Sequence, residues 1–367
     1  MAKSSVAEQP VSGEKYGFDA IRGTQAGREF YVAMCPWKII PKLFIFNDYD
    51  IPPELRAQRT LRETRIPAIK DYILNNLTDY TFSSLTASVD GSMDFVPFPS
   101  SGKDGKLGRL YINMDSRLLI NDGQHRRKAI EESLKENPGL GSEMISVVFF
   151  QDDGLRRSQQ MFSDLNKNAV KPTKSLNILY DHRDEFSKFI VSLVNSVPIF
   201  NGRVELEKTT ISNRSTKAFT LNGISDASLK LLGMGKTRKI TKADEEIIKE
   251  FWKTLSENIP EWQLLLKGDV SSNELRKNFV NTNTNLLNAL GIAGRLLVAE
   301  FPNEWQSKLK SLKKINWSRD APEWDGRLII NGQMQKQILG IELAANIIIK
   351  KCGLTLSPER QAIEAKL

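Results

Sequence analysis

The sequence contains few of the residues that form metal and disulfide sites. Among its 367 residues, two are cysteines, Cys35 and Cys352, and two are histidines, His125 and His182. The cysteines lie far apart, and neither has a second cysteine at a zinc-binding or redox spacing. This composition argues against a zinc protein and a disulfide-rich secreted domain, and it favours a reduced, cytoplasmic setting.

Long apolar runs are also missing. No stretch of about 18 consecutive apolar residues occurs, which a membrane-spanning helix would need. The N-terminal segment MAKSSVAEQPVSGEK has no apolar core of the kind found in a secretory signal. We therefore expect neither secretion nor a membrane span, and we interpret residues 1–15 as a flexible polar tail.

Positive charge is abundant by comparison. The chain has 52 lysines and arginines against 44 aspartates and glutamates, a net charge of +8 and a pI near 9.2. This excess favours an anionic partner such as nucleic acid, although it does not determine the fold. The hydrophobic fraction of 40% is typical of a globular protein. The length suggests two domains.

Strand and helix signals divide the chain into two parts. Residues 28–46 predict two short strands, and GKDGKLGRLYINMDSRLLI predicts a hairpin. Residues 118–120 and 144–150 predict strands on either side of a helix over 124–136, which would form a βαβ-like unit. After about residue 198, helical periodicity dominates. We therefore predict an α/β (α+β) domain over 16–197 and a mainly α-helical domain over 198–367.

The segment LLINDGQHRRKAIEESLKE places cations where a helix should begin. Arg126, Arg127 and Lys128 meet the positive end of the helix dipole, which disfavours each by roughly 0.3–1 kcal/mol. In one interpretation, local pairs with Asp122 and the glutamates at 131 and 132 neutralise them. In the other, the strand, the Gly123 turn and the helix N-terminus form an anion site that Arg126 faces. The spacing alone leaves both open.

Three other segments combine basic and polar side chains. They are the arginine-rich segment at 52–74, NKNAVKPTKS, and EKTTISNRSTKAFTL, whose hydroxyl, amide and cationic groups suit DNA phosphates. A solvated basic face or a polar connector explains the same composition. The candidate DNA-binding residues are Arg59, Arg65, Lys167, Lys171, Lys208, Arg214 and Lys217.

The pentapeptide DGQHR at residues 122–126 resembles the signature of the DGQHR-domain family. The context agrees in the segments RIPAIKDYI, FSSLTASVDG and MFSDLNKNAVKPTKSLNILYDHRD, and the resemblance extends over about residues 16–232. Within that group, the chain is most similar to the DndB family, the regulatory proteins of bacterial DNA phosphorothioate modification. The resemblance implies a ParB/sulfiredoxin-like fold for the N-terminal domain.

The resemblance also implies two functions, which are compatible with each other. One is a transcriptional repressor that binds double-stranded promoter DNA upstream of the modification genes. The other is enzymatic, because ParB-like relatives hydrolyse nucleotides and some DGQHR proteins are associated with DNA nicking. In that case ATP with Mg²⁺ is the implied cofactor, with Asp122 holding the metal. The implied catalytic residues are Asp122, Gln124, His125 and Arg126, and the implied nucleotide-binding residues are Gly123, Gln124, His125, Arg126 and Arg127.

Protein partners form a third hypothesis. The helical domain would contact the sulfur-modification enzymes, and Trp305, Trp317 and Trp324 would either form that interface or pack in the core. A homo-oligomer would suit a palindromic DNA site.

Overall fold

The computed structural model describes residues 14–44, 65–100, 102, 104–151, 157, 160–161, 163–165, 172–235, 239–334 and 337–367. The chain forms two compact units, Met1–Val170 and Lys171–Leu367. The first combines a large sheet with helices, and the second is mainly helical. This agrees with the predicted mixed α/β class. The two helices Lys174–Tyr180 and Glu185–Ser196 fall within the second unit, whereas the predicted first domain extended to residue 197.

The first unit is built on one seven-stranded sheet with the order β4-β5-β1-β2-β7-β3-β6. Strands β3 and β7 pair in parallel, and the other neighbouring strands pair antiparallel. The strands are β1 Lys15–Gln25, β2 Arg28–Pro36, β3 Leu85–Asp90, β4 Met93–Pro97, β5 Leu107–Asn113, β6 Arg117–Asp122 and β7 Met144–Gln151.

Two predictions of strand pairing were wrong. Strands β5 and β6 do not form a hairpin, because β5 pairs with β1 and β4 while β6 pairs with β3. The helix after β6 does not complete a βαβ unit either, since β3 lies between β6 and β7 and makes them antiparallel to each other. Strand β3 is buried along almost its whole length, which agrees with its place between β6 and β7, where both of its edges are paired.

Among the described residues, the helices of the first unit include α1 Ile40–Leu43, α2 Ile66–Leu74 and α3 Gln124–Glu136. Helix α1 stands where the second of two strands was expected, with Pro41 in its first turn. Helix α3 has the predicted bounds and buries Ala129 and Ile130 completely. These side chains join Trp37 and Phe149 in the core that fixes the start of α3 against the sheet.

The second unit packs its helices around one long, largely buried helix. That helix, α10 Thr284–Glu300, buries ten of its residues, as its nearly continuous apolar sequence predicts. Within the described part of this unit, four short strands accompany the helices: β8 Val204–Glu205, β9 Phe219–Thr220, β10 Ile329–Ile330 and β11 Gln333–Met334. The helices are α4 Lys174–Tyr180, α5 Glu185–Ser196, α6 Leu221–Leu232, α7 Lys242–Asn258, α8 Pro260–Lys267, α9 Ser272–Asn278, α10 Thr284–Glu300, α11 Trp305–Lys308, α12 Ile338–Lys351 and α13 Pro358–Glu364.

The three tryptophans proposed as an alternative interface lie in the core of the second unit. Trp317 and Trp324 have no exposed surface, and Trp305 is 4% exposed. The rings of Trp317 and Trp324 stack with their centroids 5.6 Å apart. Their burial removes the interface interpretation, because side chains in the core cannot contact a partner. None of the described helices combines the length and the apolar character that crossing a membrane requires.

Candidate phosphate site at the turn after β6

The DGQHR turn depends on the backbone conformation of its glycine. Strand β6 ends at Asp122, Gly123 has a φ of +108°, and α3 begins at Gln124. A Cβ atom on residue 123 would lie 2.4 Å from Cδ2 of Leu85. Only glycine accepts both this dihedral angle and this close approach. Gly123 is also the N-cap residue, so the backbone N–H groups of the first turn receive no side-chain cap from it.

Arg126 ties the first turn of α3 to two neighbouring segments. Its Nη2 donates to Oδ2 of Asp122 at 2.7 Å, and its Nη1 donates to the backbone oxygen of Ser83 at 3.0 Å and to the Ser83 hydroxyl. Ser83 lies two residues before β3, the strand that pairs with β6. The Arg126 side chain is only 15% exposed. These contacts fix the guanidinium in one place rather than leave it to move in solvent.

The next two cations are neutralised within the helix. Arg127 is buried; its Nη1 donates to Glu131 and its Nη2 donates to the backbone oxygen of Pro41 at 3.1 Å. Burial lowers the pKa of Arg127. The Nζ of Lys128 lies 2.9 Å from Glu131 and 3.1 Å from Glu132. The local-pair interpretation therefore describes these residues, and we omit Arg127 from the site because its charge is directed into the protein.

The remaining members of the pentapeptide contact the protein itself. Nε2 of Gln124 donates to the backbone oxygen of Ile120 at 3.0 Å, which closes the turn onto β6. His125 is half-buried in the first turn of α3. The carboxylate of Asp122 is paired with Arg126, and the described residues contain no group of three metal-ligating side chains. The catalytic and metal-binding roles of these residues remain predictions.

A cavity of about 420 Å³ opens beside this turn. Four of its lining residues, Arg65, Ala68, Ile69 and Tyr72, belong to α2 or its N-cap and lie on one helix face, as their spacing of three and four residues requires. Phe82 and Arg126 complete the described lining. Arg126 is the member of the pentapeptide that borders the cavity.

The lining of this cavity combines charge with aromatic surface. Arg65 and Arg126 bring two guanidinium groups to one opening, although they come from different helices. The rings of Tyr72 and Phe82 lie with their centroids 6.1 Å apart. Guanidinium groups bind phosphate, and aromatic rings stack on nucleobases. The arrangement is suited to a nucleotide or to an unpaired nucleotide of a nucleic acid.

The predicted DNA-binding residues fall into three groups: those outside the described residues, one in the first unit and three in the second unit. Arg59, Lys167 and Lys171 lie outside the described residues. Arg65 joins Arg126 at the cavity, and sequence reasoning missed Tyr72, which the i,i+7 spacing from Arg65 could have indicated. In the second unit, Lys208 and Arg214 are exposed on the loop before β9.

The loop that bears Lys208 and Arg214 is held by an arginine that the sequence analysis did not identify. Arg276 of α9 donates to the backbone oxygens of Ser212 at 3.0 Å and Ser215 at 3.1 Å. It also donates to the backbone oxygen of Lys217, whose own Nζ donates to the backbone oxygen of Gly202 at 2.8 Å. The loop is thereby anchored at several carbonyl groups, while its exposed cations face solvent.

The family model DndB, described as DNA-sulfur modification-associated, matches residues 18–355 and so extends over both units. No curated protein and no solved structure matches the chain.

Proposed function

This chain belongs to the DndB family of DNA-sulfur modification-associated proteins, and from that premise we propose that it is a DNA-binding repressor of the modification genes. The family match over residues 18–355 is the observation that carries the proposal. The net charge of +8 supports it, because a basic protein is attracted to the phosphate backbone.

The exposed loop before β9 supplies candidate contacts for that backbone. Lys208 and Arg214 are exposed, and the Arg276 hydrogen bonds hold the loop in a defined conformation. A preordered loop loses less conformational entropy when it binds. Contacts of this kind position the protein on DNA, whereas sequence choice comes from the base edges in the grooves.

A binding experiment with the full chain tests the repressor proposal. The upstream duplex of its own gene cluster is compared with a scrambled duplex between about 50 and 200 mM salt, where phosphate contacts lose affinity steeply. We expect a preference for the upstream duplex.

Arg214→Gln should weaken binding to both duplexes and reduce the slope of log affinity against log salt concentration by about 1. The control Lys351→Gln removes an exposed cation from α12 and should bind as the unchanged protein does. Equal affinity for both duplexes would contradict specific repression.

The cavity beside the DGQHR turn favours a second candidate function, nucleotide binding. Arg65 and Arg126 would hold the phosphates, and Tyr72 and Phe82 would contact the base. ATP with Mg²⁺ is the proposed ligand, in keeping with the ParB-like fold that the family resemblance implies for the N-terminal domain. In an enzymatic form, Asp122 would help hold the metal, Gln124 or His125 would position water, and Arg126 would stabilise developing charge.

Titration with ATP and Mg²⁺ tests this candidate. Arg65→Gln and Phe82→Leu should each weaken ATP binding about tenfold, which corresponds to about 1.4 kcal/mol. Arg109→Gln provides the matched control, because Arg109 is exposed on β5 and does not line the cavity. Hydrolysis is measured separately with His125→Ala. Unchanged ATP affinity in both cavity variants would exclude the site, and unchanged turnover would exclude His125 from catalysis.

A further inference from the structure

A second cavity, of about 400 Å³, lies within the second unit. Its described lining contains two arginines, Arg276 and Arg319, together with eight threonine and asparagine residues, and it includes neither a carboxylate nor an aromatic ring. Hydroxyl, amide and guanidinium groups all donate hydrogen bonds. The cavity therefore presents many donors and positive charge, with no acidic group on its described wall to neutralise that charge.

The first turns of two helices meet at this cavity. Thr220 caps α6, where its Oγ1 accepts from the backbone N of Gly223 at 3.3 Å, and Asn283 caps α10, where its Oδ1 accepts from the backbone N of Asn285 at 2.9 Å. The hydroxyl oxygens of Thr220 and Thr284 lie 3.3 Å apart. The positive ends of two helix dipoles thus face the same space.

The packing of α6 against α10 explains why their first turns coincide. A Cβ on Gly223 would lie 2.9 Å from Oγ1 of Thr284, and a Cβ on Gly291 would lie 2.2 Å from the backbone oxygen of Ala227. Gly223 of α6 lies against Thr284 of α10, and Ala227, further along α6, lies against Gly291, further along α10. The two helices therefore run parallel. The absent side chain at Gly291 allows the two backbones to approach closely. The starts of α6 and α10, which are far apart in the sequence, are held together in this way.

Arg276 and Arg319 supply the positive charge of the cavity wall. Arg276 donates to neutral backbone oxygens of the loop, among them those of Ser212 and Ser215, rather than to a carboxylate. Burial lowers the pKa of Arg276, as expected for a cation without a carboxylate partner. The Nε atom of Arg319 is buried and has no hydrogen-bond partner within the part of the chain that the structure describes. The backbone N of Arg319 donates to the backbone oxygen of Asn278 at 2.9 Å, which fixes the position of its main chain.

We infer that this cavity is a phosphate-binding site, separate from the DGQHR turn, in which Arg276 and Arg319 hold the charge and the first turn of α10 supplies backbone N–H donors. The hydroxyl groups of Thr209 and Thr210 would contact further oxygens of the ligand. The lack of an aromatic ring in the described lining makes the phosphate, rather than a base, the group recognised. The inference stands independently of the repressor and nucleotide proposals.

Hydrogen exchange of the full chain, followed by mass spectrometry, tests the site directly. Exchange is compared without ligand and with an excess of inorganic phosphate, ATP or a DNA duplex. We expect phosphate to slow exchange about tenfold in peptides that cover residues 207–222 and 280–287. Protection by ATP or by the duplex distinguishes a free nucleotide from a nucleic-acid strand as the source of the phosphate. No protection in these peptides with any of the three probes would overturn the inference.

Variants test whether the slower hydrogen exchange is caused by phosphate that binds in the cavity. Arg319→Gln should abolish the phosphate-dependent slowing in both peptides. Lys314→Gln, which removes an exposed cation nearby in sequence and outside the cavity lining, should leave it unchanged. If Arg319→Gln does not fold, Arg319→Lys provides the comparison, because it keeps the charge and loses the guanidinium fork, and it should reduce the protection. Full protection in the folded Arg319 variant would overturn the site. If phosphate slows exchange in the two peptides but the chain does not bind DNA, the phosphate site is supported and the repressor function is not.

Discussion

Arg126 and Asp122 form an ion pair across the DGQHR turn, with 2.7 Å between Nη2 and Oδ2. The pair joins the last residue of β6 to the first turn of α3 and spans Gly123, which has no side chain to contribute. Ser83 accepts from the other terminal nitrogen of the same guanidinium. Asp122 and Ser83 therefore orient Arg126 at the cavity wall, so the geometry of this cation depends on strand pairing as well as on the helix.

We expect the loss of this cation to lower stability modestly. Arg126→Gln leaves the carboxylate of Asp122 and the backbone oxygen of Ser83 without their strongest donor, which should lower the free energy of unfolding by about 1–2 kcal/mol. The Asp122 side chain is 48% exposed, and water limits the effect. Urea unfolding measures it. Lys128→Gln is the control and should change stability by less than about 0.5 kcal/mol, because Arg127 still pairs with Glu131. Equal losses in the two variants would contradict this role of Arg126.

Replacing Gly123 should be more damaging. In Gly123→Ala, the positive φ is strained and the new methyl group meets Leu85, so we expect a loss of about 2–4 kcal/mol in the free energy of unfolding. Gly27→Ala separates the two causes, because Gly27 also has a positive φ, of +75°, but its Cβ would meet nothing within 4 Å. That variant should lose about 1 kcal/mol. If Gly123→Ala and Gly27→Ala lower the denaturant midpoint equally, the contact with Leu85 is unimportant.

The C-terminal helix α13 should show acid sensitivity through Glu364. Arg327 donates to both of its carboxylate oxygens, at 2.8 and 3.0 Å, and together with Asn346 and Lys350 it holds the pKa of Glu364 at about 2. Because this folded-state pKa lies below the ordinary value of 4.5, the stabilisation is complete above pH 4.5 and is lost as the pH falls toward 2. Its full value is about 2–3 kcal/mol.

Unfolding of Glu364→Gln over a series of pH values checks this expectation. The variant should be less stable than the unchanged protein near neutral pH. The difference should shrink below pH 4.5, because Glu364 of the unchanged protein then takes up a proton on unfolding, which stabilises the unfolded chain. Glu300→Gln, at an exposed position in α10, is the control and should be close to neutral in effect. A difference that stays constant down to pH 2 would assign the loss to packing rather than to charge.

Both cysteines should be unreactive in the folded protein. Cys35 has no exposed surface, and burial raises the pKa of its thiol to about 12. Burial also raises the pKa of Cys352, which is 3% exposed. The reactive thiolate is therefore scarce and inaccessible at neutral pH. A thiol reagent such as DTNB should detect neither cysteine in the native protein and both in guanidinium chloride. Rapid labelling of the native chain would contradict the buried positions.

The parts of the fold that depend on neighbouring residues were predictable from sequence. A feature of this local kind is the capping box at the start of α7, in which the backbone N of Thr241 donates to Oδ2 of Asp244 at 2.8 Å. Helix α3 and strand β7 lie where the apolar pattern placed them. The pentapeptide identified the family, which the match over residues 18–355 confirms. These features succeed because capping, periodicity and short motifs operate within a few residues.

The sequence alone determined the start of α3, the excess of positive charge and the family. Tertiary structure decided that β5 and β6 belong to different places in the sheet, and that Arg127 is buried while Arg126 borders a cavity with Arg65. It also decided that Arg276 and Arg319 share a second cavity. The reason is physical: local patterns set the conformation of each segment, whereas strand order and the meeting of distant side chains follow from how the buried surfaces of the whole chain pack together.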